Sequence, residues 1–267
     1  MCGSSAWVAR QVGGEGRVAV LSNTCRDRWC LPCAKRRARA VASNLHPYVQ
    51  HWGADARMVT LTLRSRHEEL RSLVDRLLSC FAQLRRSKMW KSTIVGGAAF
   101  VEITRGARQH RWHVHLHAIC FGRFIPQDQL RSLWHGITGD SYIVDVRAIG
   151  SSVHDRERAI GYVLKYATKG LDVCKLTDDA DLDEAILALK GRRLVIPFGS
   201  WHTCKLTDQG EPGEWVFIGS LHSIIIAARD GDVAARDLLD RLGRRSGFDD
   251  DDASTQLARP PTQEPDE

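Results

Sequence analysis

The sequence predicts an α+β fold: a four- to five-stranded, mainly antiparallel sheet of the split βαβ type, with helices on one face. Two observations predict it. Between residues 57 and 169, segments that alternate with period two are interspersed with amphipathic helical segments, in the order β-α-β-β-α-β-α. The hydrophobic content of 43% is sufficient for a buried core. A length of 267 residues allows one large domain or two small ones.

The first half of this core contains two strands around a long helix. Residues 57–63 alternate Val59, Leu61 and Leu63 with two threonines, which is typical of a half-buried strand. Residues 67–88 carry apolar side chains at helical spacing. Residues 98–104 form the second predicted strand, and Gly106 lies in the polar turn that follows it.

The second half adds two strands and two helices. Residues 112–121 are the third predicted strand, and Pro126 opens a helix that runs through Trp134. Residues 142–149 form the fourth strand and residues 155–169 the third helix. The remaining pattern predicts an acidic helix near 178–190, strands at 193–198 and 214–219, and a helix at 222–243.

Composition and charge divide the chain into four predicted regions. These are a cysteine-rich zinc knuckle with a basic helix (1–50), the core (55–170), an extension packed on the core (171–248) and an acidic disordered tail (249–267). The tail carries a net charge of −6, which leaves +12 on residues 1–248 and favours a nucleic acid as partner. Neither a membrane-spanning run nor a signal peptide is apparent, so we expect a cytoplasmic protein without membrane contact.

Three cysteines are clustered at Cys25, Cys30 and Cys33. A Cys-x2-Cys pair presents two thiolates from one turn, an arrangement that suits tetrahedral zinc. The sequence offers Cys2 or His46 as the fourth ligand, and the spacing does not decide between them. Four cations follow within residues 35–39 at the start of a helix, which indicates contacts with phosphate.

The third strand presents a row of imidazoles. Because side chains alternate faces along a strand, His113, His115 and His117 point the same way. Glu102 on the preceding strand projects onto the same face. Imidazoles and a carboxylate arranged in this way favour a divalent metal ion with open coordination positions.

The third helix carries two phenols between two ammonium groups. At helical spacing, one stripe is formed by Tyr162, Lys165, Tyr166 and Lys169. The opposite, aliphatic face is the one that can pack into a core. Lysines that attract phosphate are a suitable environment for a nucleophilic tyrosine. In the alternative interpretation, the stripe consists of two amphipathic tyrosines at the edge of the core and has no catalytic role.

These residues together resemble the HUH endonucleases, and most closely the rolling-circle replication initiators of small plasmids and the phage gene A proteins. The resemblance rests on the Thr-rich strand 59–63, the His-x-His strand and the later tyrosine helix, and it runs from about residue 25 to 205. It implies metal ligands at His115, His117 and Glu102, with His113 as a neighbour. It also implies that Tyr166 is the nucleophile and that Tyr162 is a second tyrosine.

The resemblance further implies a reaction. Tyr166 would attack a phosphodiester of locally single-stranded or hairpin origin DNA, giving a 5′-phosphotyrosyl bond and a free 3′-hydroxyl, while Lys165 and Lys169 neutralise phosphate. The ligand set favours Mn²⁺ over Mg²⁺ in affinity, although Mg²⁺ would serve. A host helicase and the replication machinery are the further partners that such an initiator implies.

Two other interpretations remain open, and two more are disfavoured. A single-strand transposase would use the same chemistry. A relaxase is disfavoured because its nucleophilic tyrosine usually lies N-terminal to the histidines, and here only Tyr48 precedes them. A zinc-dependent DNA-binding regulator without catalysis would use the cysteines and the basic helix but would leave the histidine strand unexplained. A cupin-type oxygenase is disfavoured because no Glu follows His117 by three or four residues.

Overall fold

The computed structural model describes residues 2, 4–13, 17–52, 56–106, 111–150, 152, 154–155, 157–158, 161–162, 176, 178–205 and 214–243. The chain divides into two compact units, residues 34–208 and residues 1–33 with 209–267. The strands are β1 (Ala6–Gln11), β2 (Val18–Ser22), β3 (Ala56–Thr62), β4 (Ile94–Arg105), β5 (Trp112–Gly122), β6 (Val144–Ala148), β7 (Val195–Gly199) and β8 (Trp215–Ser220). The helices are α1 (Leu31–Trp52), α2 (Leu70–Arg86), α3 (Lys88–Thr93), α4 (Gln127–Thr138), α5 (Asp179–Leu189), α6 (Leu221–Arg229) and α7 (Val233–Gly243).

The larger unit is built on a five-stranded antiparallel sheet in the order β6-β3-β5-β4-β7. The predicted α+β fold with an antiparallel sheet is therefore confirmed. The central strand β5 pairs with β3 on one side and with β4 on the other. This position fixes the direction of every side chain of the histidine strand.

The structure differs from the prediction in one respect, because the helices are not confined to one face of the sheet. Helix α1 packs Val41, Leu45 and Val49 into a cluster that contains Ile119 and Phe121 of β5. Along a strand these two residues share the face of His117. The histidine face is thus polar at one end of the sheet and apolar at the other, and the apolar end requires a cover.

The middle of the opposite face of the sheet is apolar, and Arg57 and Arg105 lie toward its two ends. Val114, Leu116 and Ala118 of β5 are buried there together with Val59 and Leu61 of β3. Helix α2 contacts β5 and α4, and it buries seven residues at helical spacing. On the histidine face, by contrast, the polar side chains lie at the end of the sheet away from the apolar cluster.

Two predicted helices have different bounds in the structure. The helix predicted at 67–88 is α2, which ends at Arg86 because Ser87 adopts an extended backbone. The Ser87 side chain caps the next helix, α3, by accepting from Trp90 N. The segment predicted at 222–243 breaks between α6 and α7, where Gly231 has a φ of 103° that interrupts helical geometry. The helix predicted at 155–169 lies largely outside the described residues, which include helical residues at 154–155, 157–158 and 161–162.

The smaller unit combines both ends of the chain. Strand β1 pairs antiparallel with β2 and with β8, and α6 and α7 pack on this three-stranded sheet around Val8, Val18 and Ile224. The sequence did not predict the β1–β2 hairpin, whose alternating segments are only five and six residues long. None of the helices in the described part of the chain has both the length and the apolar character to cross a bilayer.

Candidate metal centres

The sheet aligns the predicted ligands on one face. His115 of β5 lies opposite Glu102 of β4 and opposite Thr62 of β3, and His117 lies opposite Thr60. Residues directly opposite in an antiparallel pair share a face, so the imidazoles, the carboxylate and the two hydroxyls form one polar surface. Strand pairing, and not a loop, sets these positions.

Glu102 contacts the histidine that lies diagonally across from it. The Glu102 Oε2 atom lies 2.6 Å from His117 Nε2, and the His117 side chain is buried. The rings of His115 and His117 stack with centroids 6.4 Å apart and planes inclined by 28°. Within the described part of the chain, only a group of cysteines brings three or more ligand atoms within 4.8 Å of one another, so these three side chains do not converge on one point.

The Nδ1 atoms of His115 and His117 each contact a threonine hydroxyl of β3. Thr60 Oγ1 is 3.1 Å from His117 Nδ1, and Thr62 Oγ1 is 3.1 Å from His115 Nδ1. The Nδ1 atoms are therefore occupied within the sheet. The Nε2 atoms are the ones directed away from β3, and Nε2 of His117 is the atom that faces Glu102.

The environment of His115 favours its neutral form. Burial lowers the pKa of this imidazole, and the neighbouring His117 and His113 lower it further, although the Glu102 carboxylate opposes them. A neutral imidazole has a lone pair free for a metal ion. His115 is therefore suited to ligation at neutral pH.

His113 lies at the end of the row, where it pairs with the exposed Thr104. Its Nε2 atom packs against Gly106, because a methyl group built on Gly106 would come within 2.9 Å of it. His113 shares the face of the other two histidines, but its ring is held against the turn.

Tyr162 is partly buried and packs against the apolar cluster on the histidine face of the sheet. The sequence predicts that Tyr162 lies on the side of its helix that faces away from the core. In the structure, however, the Tyr162 side chain packs against this buried cluster. Tyr166, Lys165 and Lys169 lie outside the described residues.

The second candidate centre consists of four thiols in the smaller unit. The Sγ atoms of Cys2, Cys25, Cys30 and Cys33 all lie within 4.8 Å of one another. Cys33 Sγ is 3.4 Å from Cys2 Sγ and 3.6 Å from Cys25 Sγ. A tetrahedral zinc ion with Zn–S bonds of about 2.3 Å separates its sulfurs by about 3.8 Å, so the spacing fits such an ion. The fourth member is Cys2, not His46, whose Nε2 lies 3.4 Å from Gln50.

Crowding of the thiols opposes their ionisation while no cation is bound. The backbone of Cys33 lowers the pKa of the Cys30 thiol, but burial and hydrogen bonds with the three neighbouring thiols outweigh it and raise this pKa to about 12. A metal ion must therefore displace protons as it binds.

Sequence reasoning missed the two hydroxyls beside the imidazoles. Alternation along residues 57–63 puts Thr60 and Thr62 on one face of their strand, but the sequence does not contain the register that sets them opposite His117 and His115. The sequence did contain one indication: Thr60 and Thr62 recur every second residue in one predicted strand, as His115 and His117 do in another.

Comparison with known proteins places the chain in a family. The family model described as "Replication protein" matches residues 17–214. A Rep protein from Bacillus amyloliquefaciens is 28% identical over 205 residues, covering 64% of this chain and 60% of the relative. A second Rep protein, from Bacillus sp., is 28% identical over 207 residues, covering 64% and 66%, respectively.

A Rep protein from Staphylococcus aureus is 26% identical over 165 residues, covering 57% of this chain and 72% of the relative. The chain thus spans less than two thirds of the length of the two Bacillus proteins. None of the solved structures matches it. The matched range contains both β3–β5 and three of the four clustered cysteines, and it excludes Cys2. The resemblance to replication initiators is confirmed at this level, and the chain belongs to the replication protein family.

Proposed function

We propose that this protein initiates rolling-circle replication of a plasmid by nicking and rejoining single-stranded origin DNA through a tyrosine. The observation that carries the proposal is the contact of Glu102 with His117, beside His115, on one face of the sheet in a member of the replication protein family. No requirement of packing explains a row of imidazoles facing a carboxylate. A metal-assisted reaction of phosphate explains it directly.

The donor set fits a divalent ion such as Mn²⁺ or Mg²⁺. His115, His117 and Glu102 supply two imidazole nitrogens and a carboxylate, and the low pKa of His115 keeps its ring neutral. Because the three side chains do not converge in this structure, binding one ion requires one of them to turn toward the others. When bound, the ion would polarise the scissile phosphate. The protein would orient that phosphate.

The cleavage step conserves the bond energy of the phosphodiester. The phenol oxygen of Tyr166 forms a bond to phosphorus as the bond to the 3′-oxygen breaks. The phenolic proton is lost and the 3′-oxygen gains one, which leaves a 5′-phosphotyrosine and a 3′-hydroxyl that can prime synthesis. Tyr162 would perform the second transfer, and Lys165 and Lys169 would neutralise the phosphate.

Two placements support the proposal. Tyr162 packs against the cluster that contains Phe100 and Met58, which lie two residues from Glu102 and Thr60, respectively, on the same face. Tyr162 thereby lies on the histidine face of the sheet and not on the opposite face. In addition, Lys35, Arg36, Arg37 and Arg39 of α1 are exposed, as contacts with a phosphate backbone require. Origin DNA, a host helicase and the replication machinery are the partners that this function implies.

The cysteine group has a separate role in the proposal, as a structural zinc site. Four thiolates with spacing near that of a tetrahedral ion form a closed site without a free position for substrate. Cys2 precedes β1 and Cys25 follows β2, and Ser5 and Asn23 are hydrogen-bonded between them. The ion would hold together the open end of this hairpin.

A second candidate function is that of a DNA-binding regulator without catalysis. The observation that favours it is that only the cysteines converge within the described residues. A regulator and an initiator would both bind DNA, but only an initiator would cut it. A single-strand transposase would also cut DNA, and membership of the replication protein family argues for the initiator.

The full chain should be incubated with Mn²⁺ and a supercoiled plasmid that carries the DNA flanking its gene. We expect open circles whose 5′ ends are bound to protein and whose 3′ ends can be extended by a polymerase. Tyr166→Phe should abolish the covalent adduct, whereas the matched variant Tyr162→Phe should retain the first nick.

An adduct that persists in the Tyr166→Phe protein would move the nucleophile to Tyr162. A wild-type protein that shifts the plasmid on a gel but never nicks it would favour the regulator.

A further inference from the structure

The two threonines of β3 match the two inner histidines of β5 one for one. Thr60 contacts His117 Nδ1 and Thr62 contacts His115 Nδ1, each at 3.1 Å. Both contacts follow from the same register of β3 against β5. Two equal contacts in adjacent pairs indicate a repeated function for the hydroxyl, not an isolated coincidence.

Strand formation alone does not require a hydroxyl at these positions. Thr60 and Thr62 alternate with Val59 and Leu61, which are wholly buried on the other face. A valine has the same branched shape and is also favoured in strands. What threonine adds is an oxygen that can both donate and accept a hydrogen bond.

A group with this dual capacity suits a histidine that changes its proton position. Without a metal ion, the 2.6 Å contact of His117 Nε2 with Glu102 Oε2 places a proton between these two atoms. Nε2 must give up that proton before it can bind an ion, and the ring proton must then be on Nδ1. The Thr60 oxygen can donate to Nδ1 in the first state and accept from it in the second.

We propose that Thr60 and Thr62 are positioning residues that hold the rings of His117 and His115 with Nδ1 toward β3 and Nε2 toward the metal site. This inference rests on the proposed metal-dependent function of the histidine face. In metal proteins, partners of this kind fix the orientation of the ligating ring and raise its basicity, and removing one typically weakens metal binding by about 10–100-fold.

Mn²⁺ binding to the full chain, measured by calorimetry without DNA, tests the proposal. We expect Thr60→Val and Thr62→Val each to weaken Mn²⁺ binding by about 10-fold or more, and Thr60→Ser and Thr62→Ser to remain within about threefold of wild type. The matched control is Thr104→Val, the same substitution at an exposed position on β4 opposite His113. It should leave Mn²⁺ affinity unchanged.

The hydrogen bond at Nδ1 gives a second readout that a purely structural role would not change. Nitrogen NMR of the metal-free protein should show His115 Nδ1 in a hydrogen bond in wild type, where Thr62 contacts it. In Thr62→Val this signal should shift toward that of a ring nitrogen without a hydrogen bond, while Thr104→Val should retain the wild-type pattern.

Valine variants that bind Mn²⁺ as tightly as wild type, or serine variants that bind as poorly as the valine ones, would overturn the positioning role. A His115 Nδ1 signal that Thr62→Val leaves unchanged would also overturn it. These outcomes differ from failure of the proposed function, in which the wild-type protein itself would neither bind Mn²⁺ nor cut DNA.

Discussion

The cysteine group and the histidine face are two candidate metal centres built in opposite ways. Four thiols from the smaller unit lie within 4.8 Å of one another, and all four ligands belong to the protein. The histidine face holds two imidazoles and a carboxylate on paired strands without bringing them to one point. Closed thiolate sites stabilise folds, whereas open sites of nitrogen and oxygen leave positions for substrate.

The difference lies in what organises each site. Hydrogen-bonded strands set the histidine face, and a buried apolar cluster supports it, so its geometry does not depend on a metal ion. The knuckle at residues 23–30 has no helix or strand of its own, so its order depends on the ligand atoms. We therefore expect loss of metal to unfold one centre and merely to inactivate the other.

The largest expected effect is that of Cys2→Ser. Structural zinc in small peptides is bound with about 10–16 kcal/mol, comparable with the whole stability of a domain, about 5–15 kcal/mol. The variant should therefore lose its zinc and the thermal transition of the smaller unit. Metal analysis and calorimetry measure the two effects. His46→Ala is the control, and if it were the variant that lost zinc, the assignment of Cys2 as ligand would be wrong.

Next in size is His117→Ala. Loss of an outer partner of a metal ligand costs about 10–100-fold, so loss of a ligand should reduce nicking by at least about 100-fold. The zinc content and the melting temperature should stay near those of wild type. His113→Ala, the same change on the same face, should cost less than about tenfold, because the His113 ring rests against Gly106. Equal losses in both variants would make His113 a ligand.

Leu45→Ala tests whether apolar packing supports the histidine face. Leu45 of α1 is 1% exposed in the cluster with Phe121, and truncation of such a residue costs about 2–5 kcal/mol. Chemical denaturation should show this loss in the larger unit, with zinc still bound. Leu31→Ala on the same helix is the control, because Leu31 is 66% exposed. A Leu45→Ala protein of unchanged stability would contradict the packing of α1 on this face.

The smallest effect is expected at Asp75 of α2. Its carboxylate forms a two-pronged ion pair with Arg192, with Nη2 and Oδ2 2.8 Å apart, and the hydrogen bond to Arg192 lowers the pKa of Asp75. Because the Asp75 side chain is 56% exposed, Asp75→Asn should cost less than about 1 kcal/mol.

The pH dependence of this pair has a definite sign. A carboxyl with a lowered pKa in the folded state stabilises the fold above its unfolded pKa of about 3.9 and loses that contribution as the pH falls through the folded value. The stabilities of wild type and variant should therefore approach each other as the pH falls below about 4, and they should meet once it is below the lowered folded pKa. A difference that grew in acid would contradict the ion pair.

Local periodicity was enough to predict the strands that carry the histidine face. Strands β3 and β5 lie close to their predicted positions, and so does helix α4, because alternation and helical spacing depend on contiguous residues. The alignment of His115, His117 and Glu102 on one face followed from the same rule.

Long-range pairing could not be predicted in the same way. The choice of Cys2 over His46 depends on the β1–β2 hairpin, and the role of Thr60 depends on the register of β3 against β5. The packing of α1 on the histidine face depends on contacts of Ile119 and Phe121 with a helix about 70 residues earlier in the chain. Sequence spacing alone leaves such contacts undetermined.

The most direct test of the central claim is mass spectrometry of the peptide that becomes linked to DNA. After reaction with an origin oligonucleotide, we expect nucleotide mass on the peptide that contains Tyr166, only when Mn²⁺ is present and not in His117→Ala. A linkage to neither tyrosine, or one that forms equally without a divalent ion, would contradict the assignment of the histidine face as the site of DNA cleavage.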